Sequence, residues 1–453
     1  MAFVEFTNGD TYQGSILRGK LNGFGTYNWI NGDVFTGNWL NGQFQTGEGT
    51  ITYTDGNRYT GTFLNGTPSG GLSPGNFPYF VGTATIEKLK KGDNNVDALL
   101  FDIPEVWASN EAYENVASTT ITYSFVENSN FFVSGYNEPD PLIDLIYAFS
   151  DNQQAAVKLA LNQFSNIADI TFVEVKETVS EVGTLRFGFT DYVYNNDDDV
   201  WGWSAIPSTT PMGGDIWVSS QEKDETFIRG KDFNFASIMH EIGHALGLDH
   251  PFEGTDQLPI AYDYTNYTIM SYTDPAGALF DGNYLISFTP MVYDIAAIQY
   301  LYGAVTHNDG NTTYSYDPAK PFVEAIWDSG GYDTLNLSNF LKGCDINITP
   351  GEYSTIVCTN WSMIDNLGIA FGTTIEKVIG GSGDDIITGN FENNVIYGGK
   401  GNDKLTGGLG ADEFRFYLGD GSDIITDFNS SVDTISFFDN EDNKLFFTEG
   451  VNS

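Results

Sequence analysis

HEIGHALGLDHP, residues 240–251, holds three of the four histidines in a chain of 453 residues. Around it Phe235, Ile238, Met239, Ile242 and Leu246 recur at helical spacing, so a helix is expected over residues 232–246. His240 and His244 stand four apart and therefore stack on one face of that helix. Two imidazoles so placed can bind one zinc ion at about 2.0–2.1 Å. Glu241 lies about 100° round the helix from His240, close enough to act on a water at the metal. Gly247 permits a sharp turn that other residues resist, and the turn returns His250 as a third ligand. An ordinary helix with core histidines would need three imidazoles to converge by accident.

The rest of the composition sets the frame. The length allows two or three domains, and 41% hydrophobic residues allow sizeable cores. Asp and Glu number 61 against 19 Lys and Arg, for a net charge of −42. That balance argues against nucleic-acid or anionic-membrane partners, which need basic patches. It suits carboxylates that bind hard cations, although acidity for solubility alone gives the same count. The 51 glycines and 15% aromatics point to turns and strands rather than long helices. Cys344 and Cys358 fit no zinc spacing, and the sequence leaves open whether they pair. The opening MAFVEFTNGDTYQG has no basic region followed by an apolar run, so no cleavable signal peptide is expected. No segment offers about 18 consecutive apolar residues, so no transmembrane helix is expected. His307 lies outside the motif and needs no role.

Two repeats flank the histidine motif. FTNGDTYQG (6–14), WINGDVFTG (29–37) and YTDGNRYTG (53–61) recur at offsets of 23 and 24 residues. Asn-Gly and Asp-Gly between alternating apolar residues are hairpin signals. Residues 6–67 thus read as a short meandering sheet, with Tyr12, Phe35 and Tyr59 stacking from one hairpin to the next. This stretch resembles MORN repeats, which implies a protein or lipid partner; a structural spacer fits the same residues. Near the C-terminus, GGSGDDIIT (380–388), GNFENNVIY (389–397), GGKGNDKLT (398–406) and GGLGADEFR (407–415) keep a period of nine. The pattern is the calcium-binding nonapeptide of RTX β-rolls. Glycines allow a tight turn, the sixth-position Asp supplies hard oxygens, and Ile387, Ile396, Leu405 and Phe414 point into a narrow core. Gly381, Gly383 and Asp385 face Gly399, Gly401 and Asp403 eighteen residues on. On the other edge Asn394 faces Asp412, with Gly408 and Gly410. Asn390, Glu392 and Asn394 replace Gly, Gly and Asp there, so weaker calcium binding is expected.

The spacing HExxHxxGxxH is far more specific than HExxH alone, and it resembles that of metzincin zinc peptidases. YTIMSY (267–272) supplies a candidate methionine turn, with Met270 as a structural floor. Pro251 after the third histidine, and Tyr272 two residues after Met270, narrow the resemblance to the serralysin family. NNVDALL (94–100), ITYSF (121–125), YDIAAIQYLYGA (293–304), WDSGGYDTLNLS (327–338) and GIAFGTTIEKVIGGSGDD (368–385) are further matching stretches. The likeness runs from about residue 93 to 437 and leaves out the MORN-like start.

The resemblance implies a multidomain chain: MORN-like β-hairpin repeats (1–70), a linker (71–92), an α/β metzincin catalytic domain (93–306), a parallel β-roll (307–437) and a tail (438–453). It implies a mostly parallel sheet with one long helix over 142–165 after Pro141 and a second carrying the zinc motif. WSAIP (203–207) becomes the antiparallel edge strand on which substrate backbone lies. A helix over 290–302 has Thr289 as its cap, Pro290 in its first turn and Gly303 as its stop. Calcium ligands are implied at Asp328, Gly330, Gly331, Asp333, Thr374 and Glu376, and in the loop holding Asn308, Gly310 and Thr312. The family usually has Arg where Asn308 stands, but that position offers a backbone carbonyl, so the site should survive. The implied activity is secreted, zinc-dependent hydrolysis of peptide bonds by a monomer. Glu241 would be the general base, and Tyr272 a fifth zinc ligand that swings away to bind the oxyanion. Export would use an uncleaved C-terminal signal, although the chain ends in EGVNS rather than an apolar tail. The alternative is a catalytically silent, calcium-dependent interaction protein that binds through its MORN-like repeats.

Overall fold

Alternating aromatic and small residues build the N-terminal sheet, an antiparallel meander that begins with the strands Ala2–Glu5, Thr11–Leu17, Lys20–Asn28, Val34–Leu40, Gln43–Thr52 and Arg58–Leu64. The computed structural model describes the chain apart from residues 1, 7–9, 18–19, 31, 33, 41–42, 53–57, 65–66, 69–70, 73–80, 83–84, 88–93, 102–104, 108–118, 128–145, 178–181, 192–199, 209, 211, 230–232, 281–282, 362, 440–443 and 446–453. Gly14, Gly25, Gly37, Gly49 and Gly61 face one another across five strands of the meander. A Cβ at Gly14 or Gly25 would strike the Tyr12 side chain, with the ring carbon Cζ at 2.5 Å in each case, so Tyr12 lies over these two glycines. Tyr12 and Phe35 are buried and both meet Trp39 edge-on, with centroids 5.5 and 5.8 Å away. The expected hairpin-to-hairpin stacking therefore runs through Trp39; the Tyr59 side chain lies outside the described residues. Thr85–Glu87 and Glu105–Trp107 extend the same sheet, so the segment 71–92, read as a linker, contributes strand.

The chain forms two compact units, Met1–Ile260 with Ala297–Ala304, and Ala261–Ala296 with Val305–Ser453. In the first, Ile170–Glu174, Thr119–Phe125, Leu185–Thr190 and Ile216–Ser219 run parallel in that order. Gly202–Ser204 pairs antiparallel with Ile216–Ser219 and ends the sheet, as the WSAIP stretch led us to expect. The first long helix begins at Asp151, not 142. Ser150 is its N-cap: its Oγ accepts from Gln153 N–H and the Gln153 side chain accepts from Ser150 N–H. That reciprocal pair fixes the helix start more strongly than Pro141 does. Ala156, Val157, Ala160, Leu161 and Phe164 form its buried stripe.

The helix Val292–Tyr302 begins without help from Thr289. Asp294 Oδ2 accepts the Met291 N–H at 2.8 Å, while the Thr289 hydroxyl accepts from Ala325 N–H. Farther on, Val378, Ile396 and Phe414 pair in parallel register at intervals of 18, as do Ile387 and Leu405. All five are fully buried. A nonapeptide is thus half a coil, and its eighth residue fills the core. Cys344 and Cys358 are both free and buried, and burial pushes each thiol up to about 11.

Candidate metal centre and catalytic site

The helix Phe233–Ala245 buries Phe235, Ile238, Met239 and Ile242. Its C-terminus closes with Gly247 N–H on His244 O and Leu248 N–H on Gly243 O, both at 2.9 Å. Gly247 sits at φ +103°, the left-handed turn that this closing motif requires. Two distant side chains brace the same end: Trp107 Nε1–H donates to Ala245 O at 2.7 Å and Tyr302 O–H to Leu246 O at 2.8 Å. Asp249 N–H bonds Leu99 O at 3.0 Å. The chain therefore leaves the helix on a fixed path and delivers His250 beside the other two histidines.

The three Nε2 atoms form a triangle with sides of 3.0, 3.1 and 3.3 Å. A tetrahedral zinc ion holds its nitrogen ligands about 3.3–3.4 Å apart, which follows from bonds of about 2.0–2.1 Å. His244 Nδ1 lies 2.8 Å from Leu248 O, which places its proton on Nδ1 and its lone pair toward the triangle. Glu253 Oε1 is 3.4 Å from His250 Nδ1. Phe252 stacks on the His250 ring at 5.1 Å. On donor chemistry and spacing, the three histidines fit a zinc ion.

Glu241 is buried one position along from His240. Burial pushes its carboxyl up to about 7, partly offset by a hydrogen bond from Ser204. Ser204 Oγ–H donates to Glu241 Oε2 at 2.8 Å. The edge strand and the metal helix thus meet at the carboxylate, a contact that motif spacing did not reveal. A group poised near neutrality is suited to take and return a proton.

Met270 and Tyr272 belong to the second unit. Met270 is fully buried, and Tyr272 is 68% exposed. Asp294 holds this turn, accepting from Thr268 Oγ–H at 2.6 Å and from Ile269 N–H at 2.8 Å. Burial pushes Asp294 up to about 6. Its role was also missed; an Asp early in an apolar helix, YDIAAIQ, was the available signal. Pro251 is buried, and its carbonyl accepts Leu258 N–H at 2.9 Å.

The roll presents oxygen-rich turns. At its start Asp333 Oδ1 accepts Thr312 N–H at 2.7 Å and Asp333 N–H donates to Glu376 at 2.6 Å. Asp328 accepts from Tyr314 O–H and from Gly330 N–H. Gly330 and Gly331 have positive φ, and Gly310 O approaches Gly331 so closely that a Cβ there would lie at 2.6 Å. Asn308 adopts φ +51° and donates to Tyr314. Thr373, rather than the half-exposed Thr374, grips Asp328 through its hydroxyl. Further along, Cys344 N–H donates to Asp385, Asp385 N–H to Asp403 and Asp403 N–H to Asp423, at 2.7, 2.8 and 2.9 Å.

Asp333 Oδ2 and Asp403 Oδ2 are buried without a hydrogen-bond partner. Burial, with neighbouring carboxylates, pushes Asp333 and Asp385 up to about 6 and Asp403 up to about 7. Orphaned carboxylate oxygens beside tight glycine turns (Gly381, Gly383, Gly399, Gly401) fit calcium. On the opposite edge Asn394 N–H donates to Asp412, near Gly408 and Gly410. Here Asn390 Nδ2 and Asn394 Nδ2 both donate to Ile375 O, at 2.9 and 3.1 Å. Amide hydrogens meet that carbonyl where a cation would otherwise serve. The roll also continues past the fourth nonapeptide. Asp423, Asp427 and Asp433 accept backbone N–H groups of the preceding coil. GDGSDII (419–425) carried the signal, but the coil has grown to 20 residues there, which breaks a strict period of nine.

This combination of a braced helix, a histidine triangle and a buried glutamate, with a parallel β-roll farther along the chain, resembles that of a metzincin with an RTX region. Comparison with known proteins agrees. The Matrixin family model matches residues 147–277, the Peptidase M10 serralysin C-terminal model matches 293–452, and the MORN repeat model matches 12–34 and 35–58. Serralysin B of Dickeya chrysanthemi is 33% identical over 309 residues, covering 62% of this chain and 60% of that protein. A serralysin of Proteus mirabilis is 32% identical over 308 residues, covering 60% of each. A serralysin of Photorhabdus luminescens is 31% identical over 300 residues, covering 60% of this chain and 58% of that one. The chain spans about 60% of the length of the curated relatives it matches. Its central and C-terminal parts are serralysin-like, and its N-terminal part carries MORN repeats. Among the described residues no helix is long and apolar enough to cross a membrane.

Proposed function

We propose that the chain is a zinc-dependent endopeptidase that acts outside the cell and is stabilised by calcium in its roll. The observation that carries this reading is the triangle of Nε2 atoms with the buried Glu241 beside it. His240, His244 and His250 would hold the zinc. When bound, the ion would polarise the scissile carbonyl and acidify water. Glu241 takes a proton from the attacking water and delivers it to the leaving amine as the C–N bond breaks. Tyr272 donates to the developing oxyanion. By their match to the family motif, Met270, Gly247 and Pro251 would be structural. Substrate is a peptide segment added as a strand to Gly202–Ser204.

Calcium would sit at the start of the roll (Asn308, Gly310, Thr312, Asp328, Gly330, Gly331, Asp333, Thr374, Glu376) and along its edges (Gly381, Gly383, Asp385, Gly399, Gly401, Asp403, Gly408, Gly410, Asp412). Calcium is scarce in cytoplasm, so such a roll would fold after export; a signal-peptide-independent, one-step route fits that order. The MORN repeats would engage a protein or lipid partner, and the protein would act as a monomer, with the division into repeats, catalytic domain, roll and tail given above. The catalytically silent alternative is disfavoured because every catalytic position is filled. Purified full-length chain is expected to cleave casein, and a chelator or Glu241→Ala to abolish cleavage. Cleavage that survives Glu241→Ala would refute the assignment.

A further inference from the structure

The edge strand Gly202–Ser204 has two sides. Trp201 O accepts Ser219 N–H, Ala205 N–H donates to Asp215 O and Ala205 O accepts Gly214 N–H. Trp203 is the partner of Trp217 between them. In an antiparallel ladder alternate residues bond to the same neighbour, so 201, 203 and 205 face inward. The N–H and C=O groups of Gly202 and Ser204 therefore face the outer edge, where an added strand would bond. Side chains stand perpendicular to that direction, and the Ser204 side chain reaches the metal helix to donate to Glu241 at 2.8 Å.

We propose that Ser204 is a positioning residue that holds the Glu241 carboxylate in register with the peptide laid on the edge strand. Its backbone fixes the incoming chain and its hydroxyl fixes the base, so one residue sets both halves of the reacting geometry. This rests on the peptidase reading above. A free carboxylate samples several side-chain rotamers, and a small misplacement of a reacting group lowers turnover more than it lowers binding. The hydroxyl, not the bulk, is what matters, which separates this role from packing.

The test uses the full-length, zinc-loaded chain with a fluorogenic peptide. Ser204→Ala is expected to lower kcat about tenfold, the worth of one hydrogen bond to a charged group, with KM within about twofold. Ser204→Thr keeps the hydroxyl and should restore kcat; Ser204→Val, of the same shape, should not. Unchanged kcat in Ser204→Ala, or equal rates in the Thr and Val variants, would overturn the proposal. A second readout does not depend on turnover. Infrared difference spectra, with the Glu241 band assigned through Glu241→Gln, should shift in Ser204→Ala and return in Ser204→Thr. A wild-type chain that hydrolyses no peptide while the band shifts would sink the peptidase reading and leave the positioning intact. A band that does not move would end the positioning claim in either case.

Discussion

Replacing Asp403 by Asn should stabilise the calcium-free roll and weaken the calcium-loaded one. Asp403 is 1% exposed, its Oδ2 is without a hydrogen-bond partner, and its carboxyl is pushed up to about 7. Burial is the first cause, and the charges of Asp385, Asp423 and Asp384 add to it. A carboxyl with a raised folded pKa favours the folded state only while protonated. Its contribution is full below the unfolded value of about 3.9 and is lost as pH rises through about 7. A shift of roughly three units corresponds to about 4 kcal/mol. Solvent near the turn and coupling to the adjacent carboxylates reduce this to about 2 kcal/mol.

Asn keeps an oxygen for the Asp385 N–H and removes the charge. In EGTA at pH 8 the variant should melt about 4–8 °C above wild type, given about 2–4 °C per kcal/mol for a unit of this size. At pH 5 the gap should narrow, and it should close as pH falls toward the unfolded value of about 3.9. In saturating calcium the order should invert, because the variant lacks a hard ligand. Thermal unfolding of the full chain by circular dichroism, with the roll transition identified by its calcium response, reads all three. Wild-type chain that gains stability in EGTA as pH rises from 5 to 8, or a variant less stable than wild type in EGTA at pH 8, would refute the reasoning.

Three further outcomes are expected. Glu241→Gln should lower kcat at least about a thousandfold while leaving zinc content by elemental analysis unchanged, because the histidines are untouched. Asn394→Asp removes an amide hydrogen bond to Ile375 O, puts a carboxylate in its place, and should cost the calcium-free roll about 1–3 kcal/mol; calorimetric titration should then count one more calcium than in wild type. Gly247→Ala forces a Cβ into φ +103°, which should cost about 1–2 kcal/mol and loosen the return of His250, seen as faster zinc loss to a competing chelator.

Much of this molecule was legible in order along the chain. The histidine helix, its glycine stop and the 18-residue coil pairing depend on local spacing, and a sequence displays spacing directly. What spacing could not show were contacts made by single polar groups across long separations. Ser204 meets Glu241 from 37 residues away, and Trp107 meets Ala245 from 138. Nothing in either local pattern distinguishes such a serine or tryptophan from its neighbours. The first long helix shows the opposite error. Pro141 is a generic start signal, whereas the Ser150–Gln153 pair was the specific one. Where the coil lengthened after residue 415, a strict period hid Asp423, Asp427 and Asp433.

The outward-facing backbone of Gly202 and Ser204 carries a consequence for what the proposed peptidase would digest. Recognition there is addressed to amide groups, which every residue but proline supplies in full. A peptide laid along that edge would therefore be accepted with little regard to its side chains. It would be refused where a proline or an N-methylated residue falls opposite the strand, because a missing N–H leaves a strand carbonyl without its donor. Resistance to this protein would then be written in the main chain, and proline spacing in a substrate would mark the fragments left behind.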